Sequence, residues 1–157
     1  MRMCTAGGRM MDTGCGDATG RVLRVVVVEW RRLDVDGLTC DRCRDTGEAL
    51  RGAVAALQDA CTGRGVRMEV REVRLPPFNV AGSNSILVDG VPLERFLPGG
   101  HATTTCCNSC ADLLGKPVDC RALAFGGEVY EALPQAVLVK ALRAALGACE
   151  AGGCGSV

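Results

Sequence analysis

Apolar positions along the chain change period several times, and each change marks an element. The block from Val22 to Trp30 contains Val25-Val26-Val27-Val28 without a polar interruption, the pattern of a β-strand covered on both faces and central in its sheet. Arg31 to Thr39, carrying Asp34, Asp36 and Gly37, reads as a loop. Asp45 and Glu48 then have the spacing of a capping box, and Leu50, Ala53, Val54, Leu57 and Cys61 share one helical face. Gly63 and Gly65 supply the exit from that helix.

From Val66 to Val73 the period drops to two, with Val66, Met68, Val70 and Glu72 on one side, so a second, less buried strand is expected. Pro76-Pro77 and Gly82-Ser83-Asn84 break the chain before a short apolar strand, Ser85 to Val88, closed by an Asp89-Gly90 turn. Val91 to Leu97 passes into a helical turn. Ala122 to Phe125 and Glu128 to Glu131 flank Gly126-Gly127 as a hairpin, and Pro134 opens a last helix with Val137, Leu138, Ala141, Leu142, Ala145 and Leu146 inward. The order of elements suits an α/β fold, a mixed sheet packed by helices. One domain over residues 21–148 is expected, with a cysteine-rich insertion at 98–120, a disordered tail at 1–20 and a flexible tail at 149–157. Met10 or Met11 is an alternative start.

Composition narrows the functional classes. The 157 residues are 48% hydrophobic, enough for a modest core. Eighteen basic residues offset eighteen acidic ones and only five aromatics are present, so neither a phosphate-binding face nor a base-stacking platform is expected, and nucleic acid is excluded as partner. No apolar run approaches the roughly 20 residues of a membrane span. The first twenty residues lack the apolar block of a secretory signal, which points to the cytoplasm.

In a reducing compartment, eleven cysteines do not pair off as disulfides. Their number points instead to metal, metalloid or redox chemistry. Cys40-Asp41-Arg42-Cys43 follows a strand and precedes a helix, the arrangement of dithiol oxidoreductases and also of small metal knuckles. The capping box places this pair in the loop before the helix, with Arg42 and Arg44 available to stabilise a thiolate. Cys106-Cys107-Asn108-Ser109-Cys110 supplies a second C-x-x-C unit and a vicinal thiol. Asn108 and Ser109 are capping residues, Ala111 to Leu114 makes one helical turn and Gly115 ends it. Cys40, Cys43, Cys107 and Cys110 are the candidates for dithiol catalysis, and the same four with Cys106 are the candidate ligands of zinc, mercury or arsenic. Cys120 reads as structural, and His101 as an exposed loop residue after two glycines. Cys4, Cys15, Cys149 and Cys154 fall in the tails. No Ser/His/Asp set, H-E-x-x-H helix or phosphate-binding glycine loop is present.

Glu29-Trp30, Thr39-Cys40-Asp41-Arg42-Cys43, Thr46-Gly47-Glu48, the run Ser83 to Glu94, Cys106-Cys107-Asn108-Ser109-Cys110 and Tyr130-Glu131-Ala132-Leu133-Pro134 resemble, in this order, a bacterial family of unknown function, the DUF2703 type. The resemblance spans roughly residues 22 to 147 and implies a thioredoxin-like fold without bringing an established activity. Thioredoxins and glutaredoxins usually carry a proline just before the strand matched by Ser85 to Val88. Here Asn84 or Ser85 stands there, a departure that favours metal over ordinary disulfide exchange. The primary expectation is thiol–disulfide redox chemistry on a protein disulfide by a thiol–disulfide oxidoreductase. The alternatives are binding of a thiophilic metal or metalloid ion and a scaffold held by structural zinc.

Overall fold

The structure is a computed structural model and describes residue 22 and residues 24–147. Both tails, with Cys4, Cys15, Cys149 and Cys154, lie outside the described residues. Strand β1 (Arg24–Leu33) leads through helix α1 (Asp41–Thr62) to β2 (Val66–Leu75), which lies parallel to β1. A 3-10 segment (Pro77–Gly82) brings the chain to β3 (Ser85–Val88), antiparallel to the other edge of β1, and β3 turns into β4 (Val91–Pro92). The first sheet therefore has the order β2-β1-β3-β4. A 3-10 turn (Leu93–Phe96) then leads to β5 (His101–Cys106), helix α2 (Asn108–Leu114), β6 (Asp119–Phe125) and β7 (Glu128–Tyr130). These three strands form a second, antiparallel sheet, and helix α3 (Gln135–Leu146) closes the fold.

The mixed sheet flanked by helices is the class the periodicity implies, and β1 is interior. It is not covered on both faces, however. Val26, Val28 and Trp30 are buried while Val25 is 40% exposed, because α1 and α3 both pack on the same side. Leu50, Ala53 and Leu57 from α1 and Leu138, Ala141 and Leu142 from α3 meet Val26, Val28, Trp30, Ile86 and Val88 in one apolar core. Gly47 permits this contact: a Cβ there would lie 2.4 Å from Cζ2 of Trp30. The strand also runs past Trp30 to Leu33, where a loop is expected from sequence. Arg32 holds that extension by donating to Glu72 at 2.6 Å and to Asp34 at 3.2 Å, and fully buried Leu33 reaches a separate core made mostly of sulfur.

The Asp89-Gly90 turn, the helical turn after it, the hairpin at Gly126-Gly127 and the last helix all lie where the sequence puts them. Region 98–120 is more ordered than its composition suggests. Its first strand pairs along β6 from His101↔Ala124 to Cys106↔Asp119. Asn84, at a positive φ of 57°, donates from Nδ2 to the carbonyls of Arg121 and Glu131, tying the second sheet to the start of β3.

Candidate metal centre

Helix α1 begins at Asp41, four residues ahead of the expected capping box. Cys40 itself is the N-cap, in extended conformation, its Sγ accepting from the Cys43 backbone N–H at 3.5 Å. Asp45 and Thr46, read from sequence as the cap, sit inside the helix. Asp45 pairs with Arg44, and the Thr46 hydroxyl accepts from the Leu133 N–H. A sulfur has taken the role usually filled by a side-chain oxygen, satisfying one of the helix's open N–H groups.

Helix α2 starts in the same way. Cys107 is its N-cap and accepts from the Cys110 N–H at 3.4 Å, while Asn108 and Ser109, the expected caps, fall in the first turn. Gly115, with φ at 73°, ends the helix as its position implies. The two starts are joined, since the Asp41 N–H donates to the Ser109 hydroxyl at 2.8 Å. Both C-x-x-C units thus form helix N-termini that face a common pocket.

In that pocket the Sγ atoms of Cys40, Cys107 and Cys110 lie within 4.8 Å of one another, all buried. Cys120, from β6, is buried beside them and interacts electrostatically with all three, though it lies outside the group whose sulfurs are mutually within 4.8 Å. The sequence reading assigned Cys120 a structural role. The signal was present: extending the predicted hairpin strand back by two residues places Cys120 on the same face as Ala122, and both are buried. Cys43 is buried beside the group and interacts with Cys40, but it lies outside the tight trio. Cys106 is exposed at the end of β5 and lies outside the trio. His101 stands at the far end of the same strand, exposed, with Nδ1 3.2 Å from the Gly99 carbonyl.

The sulfurs titrate together. The Cys110 thiol, followed by those of Cys120 and Cys43, donates to Cys40 and holds it far below the ordinary thiol range, against the opposing effect of burial. Cys110 is pushed up by its contacts with Cys120 and Cys40 and by burial, and Cys43 by its contact with Cys40 and by burial. Cys110 lowers Cys120, but Cys40, burial and Cys107 outweigh it and push Cys120 up to about 12. The direction is the same throughout: S–H donors favour a thiolate at Cys40, while that sulfur and burial disfavour ionisation of Cys43, Cys110 and Cys120.

Both arginines of the first motif have other partners. Arg44 is exposed and pairs with Asp41 and Asp45. Arg42 is buried and engages backbone carbonyls and a carboxylate. Its guanidinium donates to the carbonyls of Cys106 at 2.8 Å and Cys120 at 3.2 Å and pairs with Glu131 at 3.2 Å. It bolts the start of α1 to β5 and β6, which sets the distance between the cysteines of the two motifs.

These motifs lie within a stretch that other proteins share. The family described as "Domain of unknown function (DUF2703)" matches residues 26–142. The chain belongs to the DUF2703 family. The matched span contains Cys40, Cys43, Cys106, Cys107, Cys110 and Cys120, so the whole sulfur pocket lies inside the family domain. An uncharacterised protein of Archaeoglobus fulgidus is 32% identical over 110 residues, covering 68% of this chain and 77% of the relative. No solved structure matches. Among the described residues no helix is long and apolar enough to cross a membrane.

Proposed function

We propose that this DUF2703 protein binds a thiophilic metal or metalloid ion as cargo, using Cys40, Cys107 and Cys110 as ligands with Cys120 as a fourth sulfur at the same site. The convergence of three buried sulfurs from two helix starts within 4.8 Å carries this reading. A tetrahedral ion with bonds of about 2.3 Å to sulfur holds its ligands about 3.8 Å apart, so the trio needs only a small contraction. Three thiolates suit trivalent arsenic, and four suit zinc or mercury. Each bound thiolate replaces a proton by a share of the cation's charge, which offsets the repulsion among neighbouring thiolates.

A cargo role is supported by the separation of the apolar core between α1, α3 and the first sheet from the sulfur cluster. The test is titration of reduced protein with zinc, cadmium or arsenite, followed by sulfur-to-metal ultraviolet absorption and thermal unfolding. One equivalent is expected. At a free ion concentration of 1,000 Kd the stabilisation is about 4 kcal/mol, and the midpoint rises by roughly 8–16 °C. Cys110→Ser removes both effects, and the chelated protein keeps its circular dichroism. Unfolding on chelation would select the structural-zinc scaffold instead.

Thiol–disulfide exchange on a thioredoxin-like scaffold is the second reading, and the N-capping position of Cys40, with its thiol held below the ordinary range, supports it. Full burial of Cys40 counts against attack on a protein disulfide. Mild oxidation followed by thiol counting separates the two. A reversible loss of two thiols at a defined potential, with no ion bound, would favour the oxidoreductase.

A further inference from the structure

An ion held by buried sulfurs needs a way in. Cys40 and Cys110 are inaccessible, and Cys107 alone of the trio lines surface cavities. Two cavities, of about 540 and 310 Å³, meet at the start of α2, and Cys106, Cys107 and Asn108 line both. Cys106 is the exposed thiol among the described free cysteines. Its backbone is fixed, since the buried Arg42 guanidinium holds its carbonyl and Glu131, paired with that guanidinium, also accepts from the neighbouring Thr105 hydroxyl.

We infer that Cys106 is the loading thiol of the sulfur site and takes the ion from a small thiol carrier. The inference rests on the cargo reading above. The larger cavity carries the groups such a carrier would meet: Lys116 for a carboxylate, and Asp112 and Asp119 for an ammonium. Its volume suits a molecule of a few amino-acid units rather than a folded partner.

The transfer is ligand exchange. A bond forms between the Cys106 sulfur and the ion as a carrier sulfur–ion bond breaks, and the Cys106 proton passes to the departing carrier sulfur. The Cys107 sulfur then bonds to the ion as the Cys106 bond breaks, and the Cys107 proton passes to Cys106. Cys110 and Cys40 then displace the remaining carrier sulfurs, the Cys110 proton passing to one departing sulfur and any proton on Cys40 to the other, and no electron changes hands.

Stopped-flow absorption tests this with cadmium presented either as the aqueous ion or as its glutathione complex. Cys106→Ser should reach the same stoichiometry and final absorbance as the unchanged protein but load from the complex at least tenfold more slowly. Lys116→Glu should slow only the complex. Alkylating Cys106 in the loaded protein, a check that needs no variant, should slow return of cadmium to excess glutathione by the same factor. Loading rates within twofold of each other, or a loss of stoichiometry in Cys106→Ser, would overturn the loading role. If the unchanged protein develops no sulfur-to-cadmium band in either arm, the cargo reading fails and this inference falls with it.

Discussion

Cys120 and Cys43 offer a comparison between two buried thiols that differ in geometry. Cys120 interacts with all three sulfurs of the trio, whereas Cys43 interacts with Cys40 alone of them and also with Leu33 and Thr39. Cys120→Ser should weaken ion binding by about 10–100-fold, the scale of losing a close partner of a ligand set, and Cys43→Ser should weaken it less. Isothermal titration with both variants checks the order, and equal effects would contradict it. Arg42 is the other decisive residue. Removing its buried guanidinium leaves carbonyls without donors, so Arg42→Ala should cost about 3 kcal/mol in denaturant unfolding. Lysine should rescue little of this, since one ammonium cannot reproduce the spread of the guanidinium fork.

At the scale of elements, helix starts and strand ends decided what could be read in advance. The last helix, the Asp89-Gly90 turn and the Gly126-Gly127 hairpin were legible because Pro134 and the glycines have local conformational preferences that tertiary contacts reinforce. The start of α1 was not. Capping rules look for an oxygen at Asp45, while the cap used is the Cys40 sulfur, and nothing local reveals that Arg42 will be anchored to the distant carbonyl of Cys120. Sequence spacing treats Cys43 and Cys106 like the trio and sets Cys120 apart, because spacing cannot show which way a side chain points once strands pair. Gly47, a poor helix former by local preference, is where the helix meets the Trp30 indole. Gly47→Ala should therefore destabilise by about 1–3 kcal/mol in chemical denaturation despite alanine's better helix propensity, and a stabilised variant would contradict the packing account.

For the whole molecule, two cores with different chemistry lead to two pH dependences. In the sheet, the Arg32 hydrogen bond and charge lower Glu72 from its ordinary 4.5, more than offsetting burial. Its stabilisation is present above that ordinary value and is lost as pH falls through the lowered folded value, so acid unfolding of Glu72→Gln should show a shallower dependence in that window. In the sulfur pocket, protons and ion compete for the same lone pairs. Ion affinity should fall as the solution is acidified, and titrations in buffers of different ionisation enthalpy should report proton release on binding.

The paired orientation of α1 and α2 also bears on discrimination among ions. Both present the positive end of their backbone dipoles to one small volume. A hard cation such as magnesium or calcium gains little from sulfur and has no carboxylate in the trio to offset that repulsion, whereas a soft ion forms bonds covalent enough to spread its charge onto the thiolates. Physiological magnesium should leave cadmium titrations of the intact protein unchanged, which would let the pocket ignore the most abundant divalent ions while responding to scarce ones.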